Sequence, residues 1–390
     1  MSNTLEVIVL GSGPSGGLPT LGCITGSSNA TAPACRCCTS IYEKGPDDVA
    51  AGGRKNRRGN TSCVVRKTWP DGRQSCVMID CGKTFAQNAI EYFPAHGLRK
   101  LDAVILSHDH ADAIHGIDDL RMLTRSRLKN GDDMVQVNVP IYCDAKTLAV
   151  LRQRFPFWVS QESSVGLTTA GNMSFHIIEP HKLYNIAGID IIPVEVEHGL
   201  TIKQVSPAEA KPTMTEDTSG GEGVREERKG DIVPYLCLAF LVDDKLLWMT
   251  DVGKISEKAW NIFRYGLSSA LESQIKRTNS HKRRLPVAFV DLSENFPLRA
   301  HLSPRTFLQV VDKLEAIKTF AIGMNHTLCH GEIEALGEEV EGVREGGREE
   351  AFIQDTLYGG EKVAEGGLFD SLKQKKLHFR PAYDGMSIML

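Results

Sequence analysis

The chain has 390 residues, 41% of them hydrophobic and 24% charged, with a formal net charge of −4. This is the balance of an ordinary soluble globular protein, and it provides neither the basic footprint of a nucleic-acid binder nor a strong acidic field. No apolar run reaches the ~18–20 residues that a membrane-spanning helix needs.

The first residues pass almost at once into Leu5-Glu6-Val7-Ile8-Val9-Leu10, which reads as a buried strand. No charged n-region, long apolar stretch or cleavage site precedes it, so a cytoplasmic location is expected. The ten cysteines then read as reduced thiols or metal ligands rather than disulfides. Further strand patterns follow at 62–68, 76–80, 102–106, 137–143, 173–178, 189–196, 235–242, 245–250, 286–291 and 318–323. Helical patterns fall at 84–93, 116–128, 145–154, 255–268 and 304–315, the last with Ser303 as N-cap and Pro304 at its first position. Strands mixed with helices in both halves predict one domain over 1–390, two sheets packed face to face with helices outside. Residues 42–60, 205–231 and 331–350 are polar, charged or Gly-rich and are expected to be mobile insertions. The basic clusters at 54–58 and 281–284 read as solvated loops.

Gly11-Ser12-Gly13-Pro14-Ser15-Gly16 follows the first strand and matches G-x-G-x-x-G. A dinucleotide site also needs a helix opening at that turn and an acidic residue about 20 positions on. Gly17-Leu18-Pro19 breaks any helix, and Ala32-Pro33-Ala34-Cys35 contains no acid. A Gly-rich turn bringing backbone close to a buried site is the reading that remains.

The strongest chemical signal is the apolar run Leu101–Leu106 followed by Ser107-His108-Asp109-His110-Ala111-Asp112. Three potential ligands appear at alternate positions where a strand ends, and imidazole with carboxylate is a donor set that zinc, iron or manganese selects. This segment resembles the H-x-H-x-D-H signature of the metallo-β-lactamase superfamily, and His115-Gly116-Ile117-Asp118-Asp119-Leu120-Arg121 is similar to its cyclic-phosphate phosphodiesterase branch. Later segments resemble the superfamily in order: Val194–Gly199, Leu247–Val252, Gly323–His326 and Ala382–Gly385. The resemblance implies an α/β fold, the αββα sandwich of two mixed sheets with helices outside. It also implies that His108, His110 and His198 hold a first metal, that Asp251 bridges, and that Asp112 and His326 serve a second. Ala113 stands where the superfamily pattern has histidine, so the second position is one ligand short, with His115 a candidate substitute.

Cys23, Cys35 and Cys38, with Cys37 between the pair, form a knuckle near the N terminus. Resemblance to the phosphodiesterase branch implies a structural zinc there, completed by His330 with Cys329 as the alternative. Cys63, Cys76, Cys81, Cys143 and Cys237 lie in or beside apolar strands and read as core.

The resemblance further implies a hydrolase, attacking a small cyclic or linear phosphodiester with metal-activated hydroxide. Asp112 and Asp251 would orient the nucleophile, and His301 would protonate the leaving group or bind the phosphate. One or two active-site ions are expected, zinc ahead of manganese or iron. The alternatives are a thioesterase or glyoxalase-like hydrolase, a tRNA-processing ribonuclease, and a metal-binding scaffold without turnover. A small-molecule partner is expected rather than nucleic acid or membrane, with a homodimer left open.

Overall fold

A computed structural model describes residues 3–26, 35–43, 45–123, 125–127, 134–136, 138–156, 172–202, 231–267, 284–293, 299–343 and 367–390. The first half supplies β1 (Thr4–Gly11), β2 (Ser62–Thr68), β3 (Gln74–Ile79), β4 (Ala103–Ile105), a small hairpin of β5 (Arg125–Arg127) and β6 (Met134–Gln136), then β7 (Asn138–Cys143) and β8 (Asn172–Ile177). The second half supplies β9 (Tyr184–Ile186), β10 (Ile189–Ile202), β11 (Ile232–Val242), β12 (Leu246–Met249), β13 (Val287–Asp291), β14 (Lys318–Ile322) and β15 (Phe379–Pro381), and β16 (Ser387–Met389) returns to the first sheet. Helices α1 (Leu21–Thr25), α2 (Arg36–Thr39) and α3 (Pro46–Ala51) precede β2. Then come α4 (Phe85–Ala95), α5 (Ala111–Ile114), α6 (Ala145–Arg154), α7 (Glu257–Tyr265), α8 (Pro304–Leu314), α9 (His330–Glu341) and α10 (Leu368–Lys375).

One sheet has the order β16-β1-β2-β3-β4-β7-β8 and the other β15-β14-β13-β12-β11-β10-β9. Each is antiparallel in one part and parallel in the other, the parallel pairs being β3–β4, β4–β7 and β7–β8 in the first and β12–β13, β13–β14 and β14–β15 in the second. Parallel neighbours need a crossover, and helices provide it: α4 between β3 and β4, α6 between β7 and β8, α7 and α8 around β13. The strands are therefore covered on both faces, which is why they read as continuous apolar runs. In β1, Leu5, Val7 and Val9 face the other sheet and meet Phe240, Trp248, Phe289 and Phe320, while Ile8 and Leu10 join Phe85 and Phe93 of α4. Behind the second sheet, Trp260 and Phe263 of α7 pack with Phe307 and Val311 of α8. The fold is the expected αββα sandwich. Ser303 and Thr306 cap α8 reciprocally, Ser303 N donating to Thr306 Oγ1 at 2.8 Å.

The structure corrects several expectations. Residues 46–56 form α3 and a following 3-10 turn, and most of 331–350 that is described is α9. In α9 the buried positions are His330, Ile333, Ala335, Leu336, Gly337 and Val340, an amphipathic stripe that the surrounding glutamates hide when composition is averaged. Gly331 packs so closely on α3 that a Cβ there would lie 1.9 Å from the Ala50 carbonyl oxygen. Where one helix was expected over 116–128, Ile117–Leu123 form a 3-10 turn and Arg125–Arg127 form β5. The insertion expected at 205–231 lies outside the described residues, save Asp231. Arg58, read as solvated, is fully buried: its guanidinium donates to the carbonyls of Met324 (2.8 Å), Asn325 (3.2 Å) and Leu328 (3.0 Å) and to Asn56 Oδ1 (2.9 Å). Among the described residues no helix is long and apolar enough to cross a membrane.

Candidate metal centre

The His108 loop is fixed from behind by the end of β3. Asp80, with φ 59°, accepts from Ser107 N at 2.7 Å and from Ser107 Oγ at 2.8 Å. The hydroxyl has one proton, and Asp80 takes it. His108 Nδ1, 2.8 Å from the same oxygen, must then be the donor to it. That tautomer leaves His108 Nε2 a bare acceptor, buried and without a hydrogen-bond partner. In β10 the register slips between Glu197 and Leu200, a bulge that re-aims His198. Its Nδ1 donates to the Ala300 carbonyl at 2.8 Å, so Nε2 is again the free nitrogen. The ligand-capable atoms of His108, His110 and His198 lie within 4.8 Å of one another.

Carboxylates border this cluster. Asp251 follows β12 in the left-handed region at φ 51°, an uncommon conformation for a non-glycine and one concentrated at functional sites. Its Oδ1 is 3.8 Å from His198 Nε2, and it groups with Asp112 and His108. Ser15, from the Gly-rich turn after β1, donates to Asp112 Oδ2 at 2.6 Å. Burial pushes the His108 imidazole below its ordinary value, and burial with the neighbouring imidazoles takes His110 to about 4. Both are neutral at pH 7, the form that coordinates metal. Three imidazoles beside two carboxylates, one nitrogen buried without a partner, are a donor set that fits a divalent transition ion.

His301 enters from the segment before α8. Its ring lies 4.9 Å from that of His198, and it groups with His198 and Asp251. Nδ1 is 3.3 Å from the buried Asp291 Oδ1, whose other oxygen accepts from Leu302 N at 2.8 Å. Burial opposes a charge on His301, but the Asp291 carboxylate outweighs it and lifts the imidazole to about 9. Asp112, Asp251 and His301 line one cleft with Gly13, Pro14 and Ser15, about 220 Å³ including its mouth.

The second centre contains a correction. His326 was expected beside Asp112 and Asp251, and His330 beside the cysteines. Instead His326 Nδ1 is 3.3 Å from Cys23 Sγ and 3.4 Å from Cys35 Sγ, and with Cys38 all four ligand atoms lie within 4.8 Å. His330 begins α9, which turns its side chain toward α3, where it is buried with Nε2 3.9 Å from Glu334. Cys329, the alternative, hydrogen-bonds to Cys37 rather than joining the knuckle. Nor does His115 substitute for the histidine missing at Ala113: its Nε2 is 2.9 Å from Arg154 Nη1. Apart from the three histidines of the first position, the imidazole that groups with Asp251 is His301. Sequence reasoning passed over Asp80, Asp291 and Tyr235. The first two end apolar strands, the same signal that marked Asp251, and could have been found that way.

Residues 76–324, more than half of the chain, match the family model described as a beta-lactamase superfamily domain. The chain belongs to the beta-lactamase superfamily. Among solved structures, this superfamily chain is similar to a diphosphatase of the PhnP family, at 20% identity and TM-score 0.57, covering 99% of this chain and 97% of that one. Zinc-bound PqqB of Methylobacterium extorquens is similar at 13% identity and TM-score 0.52, with 98% and 99% covered. Unliganded yeast PDE1 is similar at 12% identity and TM-score 0.51, with 99% of both chains covered. An octanoyltransferase of Porphyromonas gingivalis is 26% identical over 195 residues, 50% of this chain. The chain spans only 31% of the length of that curated relative. The superfamily consists mainly of metal-dependent hydrolases, and the chain has its metallo-β-lactamase fold together with His/Asp clusters whose donors fit a divalent metal.

Proposed function

We propose that the chain hydrolyses a small cyclic or linear phosphodiester, with zinc held by His108, His110 and His198, manganese or iron being the alternatives. The observation that supports this reading best is His301, held by Asp291 beside His198 and lining the same cleft as Asp112 and Asp251. Phosphodiester cleavage needs a nucleophile on one side of phosphorus and a proton for the departing alkoxide on the other. A divalent ion bound at the histidines supplies positive charge to the phosphoryl oxygens and acidifies water. Asp112, held by Ser15, and Asp251 accept hydrogen bonds from the attacking water and orient it. His301 donates its Nε2 proton to the leaving oxygen while Asp291 stabilises the charge on the ring. The Gly11–Gly17 turn brings backbone rather than side chains to the cleft, leaving space for a small anionic substrate. On the same reading, Cys23, Cys35, Cys38 and His326 hold a structural zinc, and the substrate is a cytoplasmic small molecule rather than nucleic acid or membrane.

A second reading, hydrolysis of an acyl thioester, draws on the relative named octanoyltransferase. The two separate on one panel of substrates. The zinc-loaded chain should turn over cyclic and linear phosphodiesters and leave acyl thioesters intact; turnover of thioesters alone would replace the first reading with the second.

A further inference from the structure

A metal-facing imidazole holds its direction only if its far nitrogen is fixed. For His108 and His198 that is done by Ser107 Oγ and the Ala300 carbonyl, each at 2.8 Å. His110, the exposed one of the three, has no such hydrogen bond among the described residues. Its ring lies instead on Tyr235, centroids 4.7 Å apart and planes 14° from parallel. The same tyrosine ring meets His108 and His198 edge-on, at 6.3 and 5.7 Å. Tyr235 is itself tied down. Its hydroxyl donates to the Asp109 carboxylate, which belongs to the residue between the two histidines in sequence. Lys146 Nζ, at the start of α6, is 3.5 Å from Asp109 Oδ1 and lies over the Tyr235 ring, 3.2 Å from its centroid.

We propose that Tyr235, latched by Asp109 and Lys146, is the positioning residue for His110, its stacked ring doing for that ligand what hydrogen bonds do for the other two. The proposal rests on the reading that the three histidines hold a metal. Stacking resists rotation of the imidazole out of the plane that points at the ion, and the latch keeps the tyrosine from following it. Loss of the flat ring should therefore weaken metal binding through His110 alone, even though Tyr235 touches no ion.

The experiment uses the full chain, stripped and titrated with zinc against a chromophoric chelator, with cobalt absorption read in parallel. Cobalt held by nitrogen and oxygen lacks the thiolate charge-transfer band of the cysteine centre, so the two are distinguishable. Tyr235→Leu fills similar space without a flat ring and should weaken zinc affinity at the histidine centre by about 10–100-fold, with a changed cobalt spectrum. Tyr235→Phe keeps the ring under Lys146 and loses only the hydroxyl bond to Asp109, so it should stay within about tenfold of wild type. In a His110→Ala background, Tyr235→Leu should cause no further loss, since its effect passes through the absent imidazole. Wild-type affinity in Tyr235→Leu, or an equal loss with and without His110, would overturn the proposal. A wild-type chain that binds no ion at the histidines would refute the metal reading, and this proposal with it.

Discussion

His198 and His301 lie ring against ring, yet their far nitrogens meet different acceptors: a backbone carbonyl for His198 and the Asp291 carboxylate for His301. The carbonyl holds His198 Nδ1 and leaves its Nε2 facing the cluster, whereas the carboxylate favours a protonated His301. His301→Ala should therefore cut turnover of a phosphodiester with an alkoxide leaving group by roughly 10²–10⁴, with the zinc content of the purified variant unchanged. A nitrophenolate ester, whose leaving group needs no proton, should lose much less, and equal losses on both would make His301 a phosphate ligand. A different acid, Asp384, anchors the Gly-rich turn: Ser12 N and Oγ donate to its Oδ1, each at 2.8 Å, and Gly59 N donates to Oδ2 at 2.6 Å. Burial outweighs those bonds and pushes its carboxyl up to about 7. A carboxyl raised on folding lends its stability below the unfolded pKa and loses it as pH rises through the folded one. Unfolding free energy should accordingly fall between about pH 4 and 7, by up to about 1.4 kcal/mol per unit from this group. Asp384→Asn should remove that slope, and identical pH profiles in denaturant titrations of the two proteins would contradict the assignment. Of these residues the sequence exposed the ligands, because alternating histidines after an apolar strand are rare. It did not expose Tyr235, whose role arises only when β11 meets the loop after β4, whereas Asp291 carried the strand-end signal and was passed over.

Strand ends were legible because each apolar run stops at a polar residue that builds or supports the site, as at Asp80, His108, Asp251 and Asp291. Short helices were not. Helices α1, α2 and α3 are 5, 4 and 6 residues long, too short for a helical period to register. Between α2 and α9 the knuckle brings Cys35 and Cys38 to His326, and Arg58 ties the same loop through three carbonyls. The family resemblance favoured His330, but the helix start at that residue turns it away, a consequence of local backbone that no ligand pattern reveals. Cys35→Ser with Cys38→Ser should remove one zinc equivalent and lower the melting temperature, since a closed structural site adds its binding energy to folding. His326→Ala should lose the same equivalent, whereas His330→Ala should keep it and lose stability only through the cavity it leaves. Zinc analysis of the three variants by mass spectrometry decides, and loss of zinc in His330→Ala alone would reverse the assignment.

At the scale of the whole molecule, the two sheets supply opposite sides of one site. His108, His110 and Asp112 come from the loop after β4 in the first sheet, and His198, Asp251 and His301 from β10 and the segments after β12 and β13 in the second. The sandwich was legible from mixed strands and helices in both halves, and from the resemblance of its motifs. The division of donors between two centres was not, because His326 and His330 are four residues apart and only the fold separates them. Anomalous diffraction at the zinc edge from crystals of the zinc-loaded chain tests that division most directly. The account predicts one peak within bonding distance of the Nε2 atoms of His108 and His198 and of His110, and a separate peak among Cys23, Cys35, Cys38 and His326 Nδ1. A peak joining His326 to Asp112 and Asp251, or the absence of any peak at the three histidines, would contradict it.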